Sequence, residues 1–253
     1  MKNAIEVRNV TVDYHSQKAL DDITLSIPHG AICGLVGMNG AGKSTLFNTL
    51  MGFVRPLRGL VIIDGMSLKE AQKKGSIAYV PQSESVDWNF PITVEEIVLM
   101  GRYGFMNRIR TPKAKDLEAA EKALRRVQME SFKNRQIGQL SGGQRKRVFF
   151  ARSLAQNAQI MLLDEPFAGV DAKTEAKITK VLLELKDEGK TILISTHELT
   201  SLSEYCDHVI LLKKKLVAYG LTDKVFTPEN ISHTFDGMLH RLTIGHKPVD
   251  INH

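Results

Sequence analysis

The stretch GMNGAGKST, at residues 37–45, decides the fold, because each part of it suits a loop that binds phosphate. Its spacing matches the pattern G-x-x-x-x-G-K-[ST] of nucleotide-binding phosphate loops. Glycines let the backbone approach an anion without a Cβ in the way, and successive N–H groups can then donate to phosphate oxygens. The residues predicted to bind nucleotide here are Gly37, Asn39, Gly40, Ala41, Gly42, Lys43, Ser44 and Thr45.

Two side chains of this phosphate loop have predicted chemical roles. Lys43 is expected to reach the β- and γ-phosphates, which makes it a candidate catalytic residue, and Ser44 is expected to offer its hydroxyl to Mg²⁺. Residues 31–36 form a continuous apolar run before the loop, and residues 46–51 carry apolar side chains at helical spacing after it. This order of buried strand, glycine loop and helix is typical of a parallel sheet. A chance glycine turn is the alternative, and both flanks disfavour it.

The composition is that of a globular protein with a sizeable core. The chain has 253 residues, of which 43% are hydrophobic and 25% charged, as in ordinary soluble domains. It has no apolar run near the roughly 18 residues that span a membrane, and its first residues lack a signal-peptide core. Its two cysteines fit a reducing compartment, so a cytoplasmic location is expected. The net charge of +6 permits a nucleic acid or membrane neighbour, although scattered surface Lys and Arg are the favoured explanation.

The pattern of apolar residues divides the chain into three parts. Residues 1–82 and 140–225 carry strand-like runs and are predicted to form a discontinuous nucleotide-binding core with an antiparallel β subdomain. Residues 83–139 lose these runs and predict an inserted helical subdomain. Residues 226–253 are predicted to be a C-terminal extension with a partly disordered tail. The expected fold class is α/β, a phosphate-loop NTPase core with a mixed sheet, an antiparallel β subdomain and an inserted α-helical subdomain.

The helical segment contains two predicted helix starts and a group of aromatic residues. Thr93 and Glu96 are spaced as a capping box, and Thr111-Pro112 predicts a second start. The large apolar residues close to its loops are Trp88, Phe90, Tyr103, Phe105 and Met106. These residues are either a small packed core or a docking surface for a partner.

Polar residues follow two other apolar runs. Asp164 and Glu165 come directly after residues 160–163, at the carboxyl end of a buried strand, where α/β sheets bind ligands. Asp164 is expected to hold Mg²⁺, and Glu165 to orient or deprotonate an attacking water. His197 follows the run at residues 191–195. An isolated histidine is more often structural, but at this sheet edge a contact with a γ-phosphate is the better interpretation.

The segment LSGGQ, at residues 140–144, predicts the start of another helix. Ser141 and Gln144 are spaced as a capping box. The two glycines between them weaken a helix by roughly 1 kcal/mol each relative to alanine. Exposed N–H groups at a helix start bind anions, which can offset that cost. The chain therefore carries two candidate phosphate-binding helix starts.

Together, the phosphate loop, Gln82, LSGGQ, the Asp164-Glu165 pair and His197 resemble the ATP-binding subunit of an ATP-binding cassette transporter in order and spacing. The resemblance covers residues 4–225. It implies ATP and Mg²⁺ as ligands, and a head-to-tail dimer with two ATP molecules at its interface. ATP on the phosphate loop of one copy would be covered by four residues of the other: Ser141, Gly142, Gly143 and Gln144.

The same resemblance implies roles for further residues. Tyr14, which could equally be an ordinary strand-end aromatic, would stack on adenine. Gln82 would contact Mg²⁺ and relay the nucleotide state to the helical subdomain. Asp171 would lie in the loop that crosses the dimer interface, and His197 would contact the γ-phosphate.

A narrower resemblance suggests the cargo. The stretches VDWNFP, VLMGRYG, RQIGQLSGGQ and LDEPFAGVD are similar to the ATPases of manganese, iron and zinc importers, and manganese or iron fits best. This implies a peripheral subunit on the cytoplasmic face of the membrane, with a permease docked near residues 83–110. An extracytoplasmic metal-binding protein would act indirectly. The alternatives are zinc or metal-chelate import, or a soluble cassette ATPase acting on nucleic acid or ribosomes. No nucleic acid is expected as a partner. Soluble cassette ATPases that act on nucleic acid or ribosomes usually carry two cassettes or long insertions, and this chain has neither.

Overall fold

The computed structural model is an α/β structure in which a six-stranded sheet is accompanied by a four-stranded antiparallel sheet and by helices. It describes residues 3–14, 17–82, 87–197, 199 and 201–236, together with the backbone of residues 241–244 and 247–250. The predicted fold class is confirmed. Among the described residues, no helix has both the length and the apolar character needed to cross a membrane.

The elements of the described chain follow one another without long gaps. The strands are β1 (Asn3–Tyr14), β2 (Gln17–Pro28), β3 (Ile32–Val36), β4 (Arg58–Ile63), β5 (Met66–Ser67), β6 (Ile77–Val80), β7 (Ile160–Asp164), β8 (Thr191–Thr196), β9 (His208–Lys213), β10 (Lys215–Leu221), β11 (Arg241–Ile244) and β12 (Lys247–Asp250). The helices are α1 (Lys43–Leu50), α2 (Leu68–Lys73), α3 (Val94–Met100), α4 (Ala114–Arg126), α5 (Gly142–Gln156), α6 (Ala172–Asp187), α7 (Leu202–Tyr205), α8 (Thr222–Val225) and α9 (Pro228–Thr234). Short 3-10 turns cover Tyr103–Phe105, Glu130–Phe132 and Ile137–Gln139.

The central sheet has the strand order β10-β9-β3-β8-β7-β6. All neighbouring pairs run parallel except β9 and β10, which form an antiparallel hairpin. Every residue of β3, β7 and β8 is buried, because apolar clusters cover both faces of the sheet. This burial explains why the three strands are continuous apolar runs in the sequence. Their carboxyl ends meet at one edge of the sheet, and the predicted site residues follow directly after them.

The antiparallel sheet, of order β2-β1-β4-β5, covers one face of the core. The register of β1 and β2 shifts between Val7 and Val10, and Asn9 between them has φ 51°, so the strand contains a bulge there. Alternate residues of β1, such as Ile5 and Val7, are buried. The predicted amphipathic strand is therefore confirmed. In the tail, β11 and β12 pair as an antiparallel hairpin where the sequence predicts partial disorder, because backbone hydrogen bonds there do not require an apolar pattern.

The helical segment packs α3 and α4 against α5. The capping box that begins α3 is confirmed: Glu96 accepts from the Thr93 N–H at 2.8 Å, and the Glu96 N–H lies 3.3 Å from the Thr93 hydroxyl. The predicted start at Pro112 is wrong, since α4 begins at Ala114. The reason is tertiary, because Asp116 accepts both the Lys113 N–H at 3.0 Å and the Arg102 Nε–H at 3.2 Å. That ion pair with a residue outside the helix selects the later start.

Gly101, at the end of α3, lets this helix approach α5 closely. A Cβ built on Gly101 would lie 2.1 Å from the carbonyl oxygen of Arg152, which is a backbone atom and cannot rotate away. Three residues further on, a Cβ on Gly104 would meet no atom within 4 Å. The two glycines therefore differ in steric demand although they lie in the same segment.

We expect Gly101→Ala to lower the free energy of unfolding by on the order of 2 kcal/mol, because α3 and α5 must move apart to relieve the overlap. Gly104→Ala is the matched control and should lie within about 0.5 kcal/mol of wild type. Urea unfolding followed by circular dichroism measures both values. Equal stabilities of the two variants would contradict the close approach of α3 and α5.

Candidate functional site

The phosphate loop connects β3 to α1 with glycines at the positions that need them. Gly40 and Gly42 have φ 79° and 102°, in the left-handed region that other residues rarely adopt. At Gly37 the reason is different, since a Cβ there would lie 2.3 Å from the carbonyl oxygen of Leu212 on β9. Helix α1 begins at Lys43 with Gly42 at its N-cap. The predicted order of strand, loop and helix is confirmed, with the helix start directed at the loop.

Lys43 is buried inside this loop and is 7% exposed. Its Nζ donates to the carbonyl oxygens of Gly37 at 2.7 Å and Met38 at 3.3 Å. Burial lowers the pKa of Lys43, and the nearby carboxylates of Glu165 and Asp164 oppose that shift. The ammonium is thus held by neutral backbone acceptors, for which phosphate oxygens would be stronger partners.

Asp164 ends β7 and is 5% exposed. Its Oδ1 accepts a hydrogen bond from the hydroxyl of Ser195, the residue paired with it on β8, and the Tyr79 hydroxyl lies 3.5 Å from its Oδ2. Burial raises the pKa of Asp164, the bond from Ser195 lowers it, and the charge of Glu165 raises it further. Ser195 is not among the site residues predicted from the sequence. The signal was a hydroxyl residue at the end of the apolar run of β8, in register with Asp164.

Glu165 is where the chain turns out of the sheet. It has φ 47°, which is uncommon for a residue with a side chain. Its N–H donates to the Ser195 hydroxyl at 2.9 Å. Its carboxylate accepts from Gln82 Nε2 at 2.7 Å, and its other oxygen lies 3.5 Å from His197 Nδ1. The structure therefore brings Gln82 and His197 to Glu165, although they lie 83 and 32 positions from it in the sequence.

Tyr14 lies at the end of the β1–β2 hairpin. It is 44% exposed and pairs with Gln17 at the end of β1 and β2. A Cβ on Gly42 would lie 2.6 Å from the carbonyl oxygen of Ala19, so β2 passes directly beside the loop. The expected contact of Tyr14 with adenine stays a prediction.

The LSGGQ segment forms a second surface, separate from this group. Ser141 is the N-cap of α5, and its N–H donates to Gln144 Oε1 at 2.9 Å, so the predicted capping box is confirmed. Ser141 and Gly142 are exposed. A Cβ on Gly143 would lie 3.2 Å from the Thr174 hydroxyl, next to Asp171, which is the N-cap of α6. The starts of α5 and α6 are therefore adjacent. Among the described residues, no hydrogen bond of this segment reaches the Lys43 group.

The residues around the phosphate loop, Lys43, Ser44, Gln82, Asp164 and Glu165, form a first surface. Its oxygen atoms suit Mg²⁺, which prefers oxygen ligands. Ser44 is exposed at the second position of α1. Gln82 donates through its amide nitrogen, which leaves its carbonyl oxygen as the atom for a metal. The buried carboxylate of Asp164, whose pKa burial raises, would gain from a nearby cation. The residues present therefore fit this ion.

Because burial raises the pKa of Asp164, the folded protein holds a proton at this carboxyl more tightly than the unfolded chain does. The resulting stability is present at low pH and is lost as pH rises from the unfolded pKa through the folded one. Asp164→Asn removes this loss, so we expect the variant to exceed wild type in unfolding free energy at pH 8 by on the order of 1 kcal/mol. The gain should shrink towards pH 4.5.

Urea unfolding of the nucleotide-free proteins at both pH values measures this difference. Asp13→Asn, at an exposed position of β1, is the matched control and should show no such gain. A variant that is less stable than wild type at pH 8 would mean that the pairing of Asp164 with Lys43 outweighs the cost of burial.

Comparisons with known proteins agree with this geometry. The family model described as ABC transporter matches residues 20–168. The manganese transport system ATP-binding protein MntA of Synechocystis is 52% identical, covering 92% of this chain and 90% of that protein. The chelated iron transport system membrane protein YfeB of Yersinia pestis is 50% identical, covering 94% and 81%. A solved inward-facing ABC transporter assigned to the metal-chelate type has a TM-score of 0.83 at 30% identity, covering 93% and 90%. The chain therefore belongs to the ABC transporter family, as an ATP-binding subunit that hydrolyses ATP.

Proposed function

We propose that this chain drives the import of manganese or iron ions, using ATP to close a head-to-tail dimer that hydrolysis reopens. The charged group of Lys43, Asp164 and Glu165 at one sheet edge carries the proposal, because it combines a phosphate-binding cation with two nearby carboxylates. The cargo is supported by the relatives at 52% and 50% identity, which are named for manganese and chelated-iron transport.

In this proposal each residue of the first surface has one task. Lys43 exchanges its backbone partners for the terminal phosphates, and Tyr14 stacks on the adenine ring. Ser44, Gln82 and Asp164 would hold Mg²⁺, which neutralises the charge of the phosphates during hydrolysis.

Glu165 orients the attacking water and accepts its proton. Its carboxylate accepts a hydrogen bond from Gln82 at 2.7 Å, and a carboxylate has further lone pairs with which to accept a bond from water. His197, 3.5 Å from the other carboxylate oxygen, contacts the γ-phosphate. Gln82, which leads into the helical segment, therefore links that segment to the proposed base.

The second surface supports a dimer. Ser141 and Gly142 are exposed at the start of α5, and the backbone N–H groups of a first helical turn bind anions. Their hydrogen bonds stay away from the Lys43 of the same chain. A γ-phosphate held by the phosphate loop of a second copy would complete this anion site. Asp171, at the adjacent start of α6, would then lie at the contact between the copies.

A groove between the core and the helical segment supports docking of the permease. It measures about 770 Å³, and three large apolar side chains in its lining are exposed: Phe53, Met100 and Phe105. Arg102 stacks on Phe105 at 4.2 Å and holds it in place. Lys73 and Lys74 lie on the rim. We therefore expect a cytoplasmic helix of the permease with an apolar face and acidic flanks to occupy this groove.

This groove refines the docking region expected near residues 83–110. Met100 and Phe105 come from that stretch, whereas Phe53 comes from the core and was not singled out in the sequence. Trp88 instead packs edge-on against Phe149 at 6.2 Å, as a small packed core would. The subunit would lie at the cytoplasmic face of the membrane, with an extracytoplasmic binding protein delivering the metal to the permease.

We expect Glu165→Gln to bind ATP but to hydrolyse it at least about 100-fold more slowly, because the base is lost while the shape is kept. The variant should elute as a dimer in gel filtration with Mg²⁺ and ATP, and as a monomer without nucleotide. Lys43→Ala should neither bind ATP tightly nor dimerise. Normal hydrolysis by Glu165→Gln would show that the water is activated elsewhere.

We expect Phe53→Glu to abolish co-purification with the permease and uptake of radioactive manganese by cells, because a charge would enter the apolar groove. ATP hydrolysis by the isolated subunit should be unchanged. Ile109→Glu is the matched control, since Ile109 is 83% exposed and lies outside the groove. Normal manganese uptake by cells with Phe53→Glu would place the permease elsewhere. If cells with the wild-type chain took up zinc but neither manganese nor iron, the proposed cargo would be contradicted.

A further inference from the structure

Lys146 connects the LSGGQ helix to the loop that carries Glu165 within a single chain. It lies in the second turn of α5 and is half-buried. Its Nζ donates to the carbonyl oxygen of Ala168. Ala168 lies in the loop between Glu165 and Asp171, three residues from each. One lysine thus touches the segment between the proposed base and the proposed interface residue.

The neighbours of Lys146 have different partners. Arg145 donates to the carbonyl oxygens of Ile137 and Gly138, and Arg147 donates to those of Val127 and Gln128. Both arginines therefore bind the helical segment. Of these three consecutive cations, Lys146 is the one whose bond crosses to the core.

The loop transmits this contact to Glu165. The Ala168 N–H donates to the Glu165 carbonyl oxygen at 3.1 Å, so the two residues close a single tight turn. Glu165 has an unusual φ of 47°, a conformation that persists only where the surrounding contacts hold it. The Ala168 carbonyl is therefore tied to the backbone of Glu165 through this turn.

The charges of the Lys146 ammonium and the Glu165 carboxylate also interact. Burial lowers the pKa of Lys146, and the charge of Glu165 opposes that shift. Both side chains line one cavity of about 400 Å³, whose walls are Val80 and Ile178 of the core and Phe149 of α5. Beside this cavity, α5 packs on the central sheet in one buried apolar cluster. The bond from Lys146 to Ala168 adds a polar link at the edge of that packing.

We propose that Lys146 is a positioning residue that makes hydrolysis depend on engagement of the LSGGQ segment. When the start of α5 moves to bind the γ-phosphate on a second copy, Lys146 carries the Ala168 carbonyl with it, and the turn brings Glu165 into its working orientation. This rests on the proposed dimer. Without the bond from Lys146 to Ala168, ATP binding and dimer closure proceed, but Glu165 does not reach its working orientation.

Lys146→Met tests the link, since it keeps the length and apolar stem of the side chain and removes the donor. We expect kcat for ATP to fall at least about tenfold, with KM for ATP and the thermal midpoint close to wild type. Lys146→Arg, which can still donate to Ala168, should recover most of the lost kcat. Lys180→Met, at an exposed position of α6, is the matched control and should behave as wild type.

A second measurement separates this inference from the dimer itself. In the Glu165→Gln background, Lys146→Met should leave the ATP-dependent dimer intact in gel filtration. A wild-type kcat for Lys146→Met, or a loss of kcat that only parallels loss of the dimer or of thermal stability, would overturn the positioning role. Failure of Glu165→Gln alone to dimerise would instead overturn the proposed function, so the two failures are distinguishable.

Discussion

The structure depends on burying opposite charges at the carboxyl edge of a parallel sheet. Lys43 and Asp164 are each more than nine-tenths buried, and an isolated buried charge would cost several kcal/mol. Backbone carbonyls hold the ammonium, and Ser195 holds the carboxylate. Burial nevertheless shifts both pKa values towards the neutral forms. Phosphates and a metal ion bound at this site would therefore offset part of that electrostatic cost.

The sheet provides the rigidity that such a site requires. Because β3, β7 and β8 are buried on both faces, the loops that follow them leave the core from fixed positions. Gly37 lies against the backbone of β9, so the phosphate loop is packed on the sheet and does not simply extend from it. The Glu165 turn is tied to β8 through Ser195. These contacts position the two acidic side chains and the lysine relative to one another before any ligand binds.

The helical segment is joined to this edge in a different way. It packs closely on α5, as the approach at Gly101 shows, and through α5 it shares one buried apolar cluster with the sheet. A cavity and a few polar bonds lie beside this packing, near Glu165. Gln82 and Lys146 supply two of those bonds, and both lead to Glu165 or its loop. These two bonds give the proposed coupling of docking and hydrolysis a direct route from the helical side of the molecule to Glu165.

The sequence by itself determined the order of strands and helices, the phosphate loop, the two capping boxes and the family, because each depends on local spacing or on residues that are adjacent in the chain. It also identified Asp164 and Glu165, since they end a buried strand. Only the tertiary structure decided what depends on residues far apart in sequence. Two such features are the hydrogen bonds from the Ser195 hydroxyl to Asp164 and from Gln82 to Glu165. Two others are the later start of α4 and the contribution of Phe53 to the groove. Their physical reason is the same: neighbouring strands and packed helices bring together side chains whose partners no local pattern records.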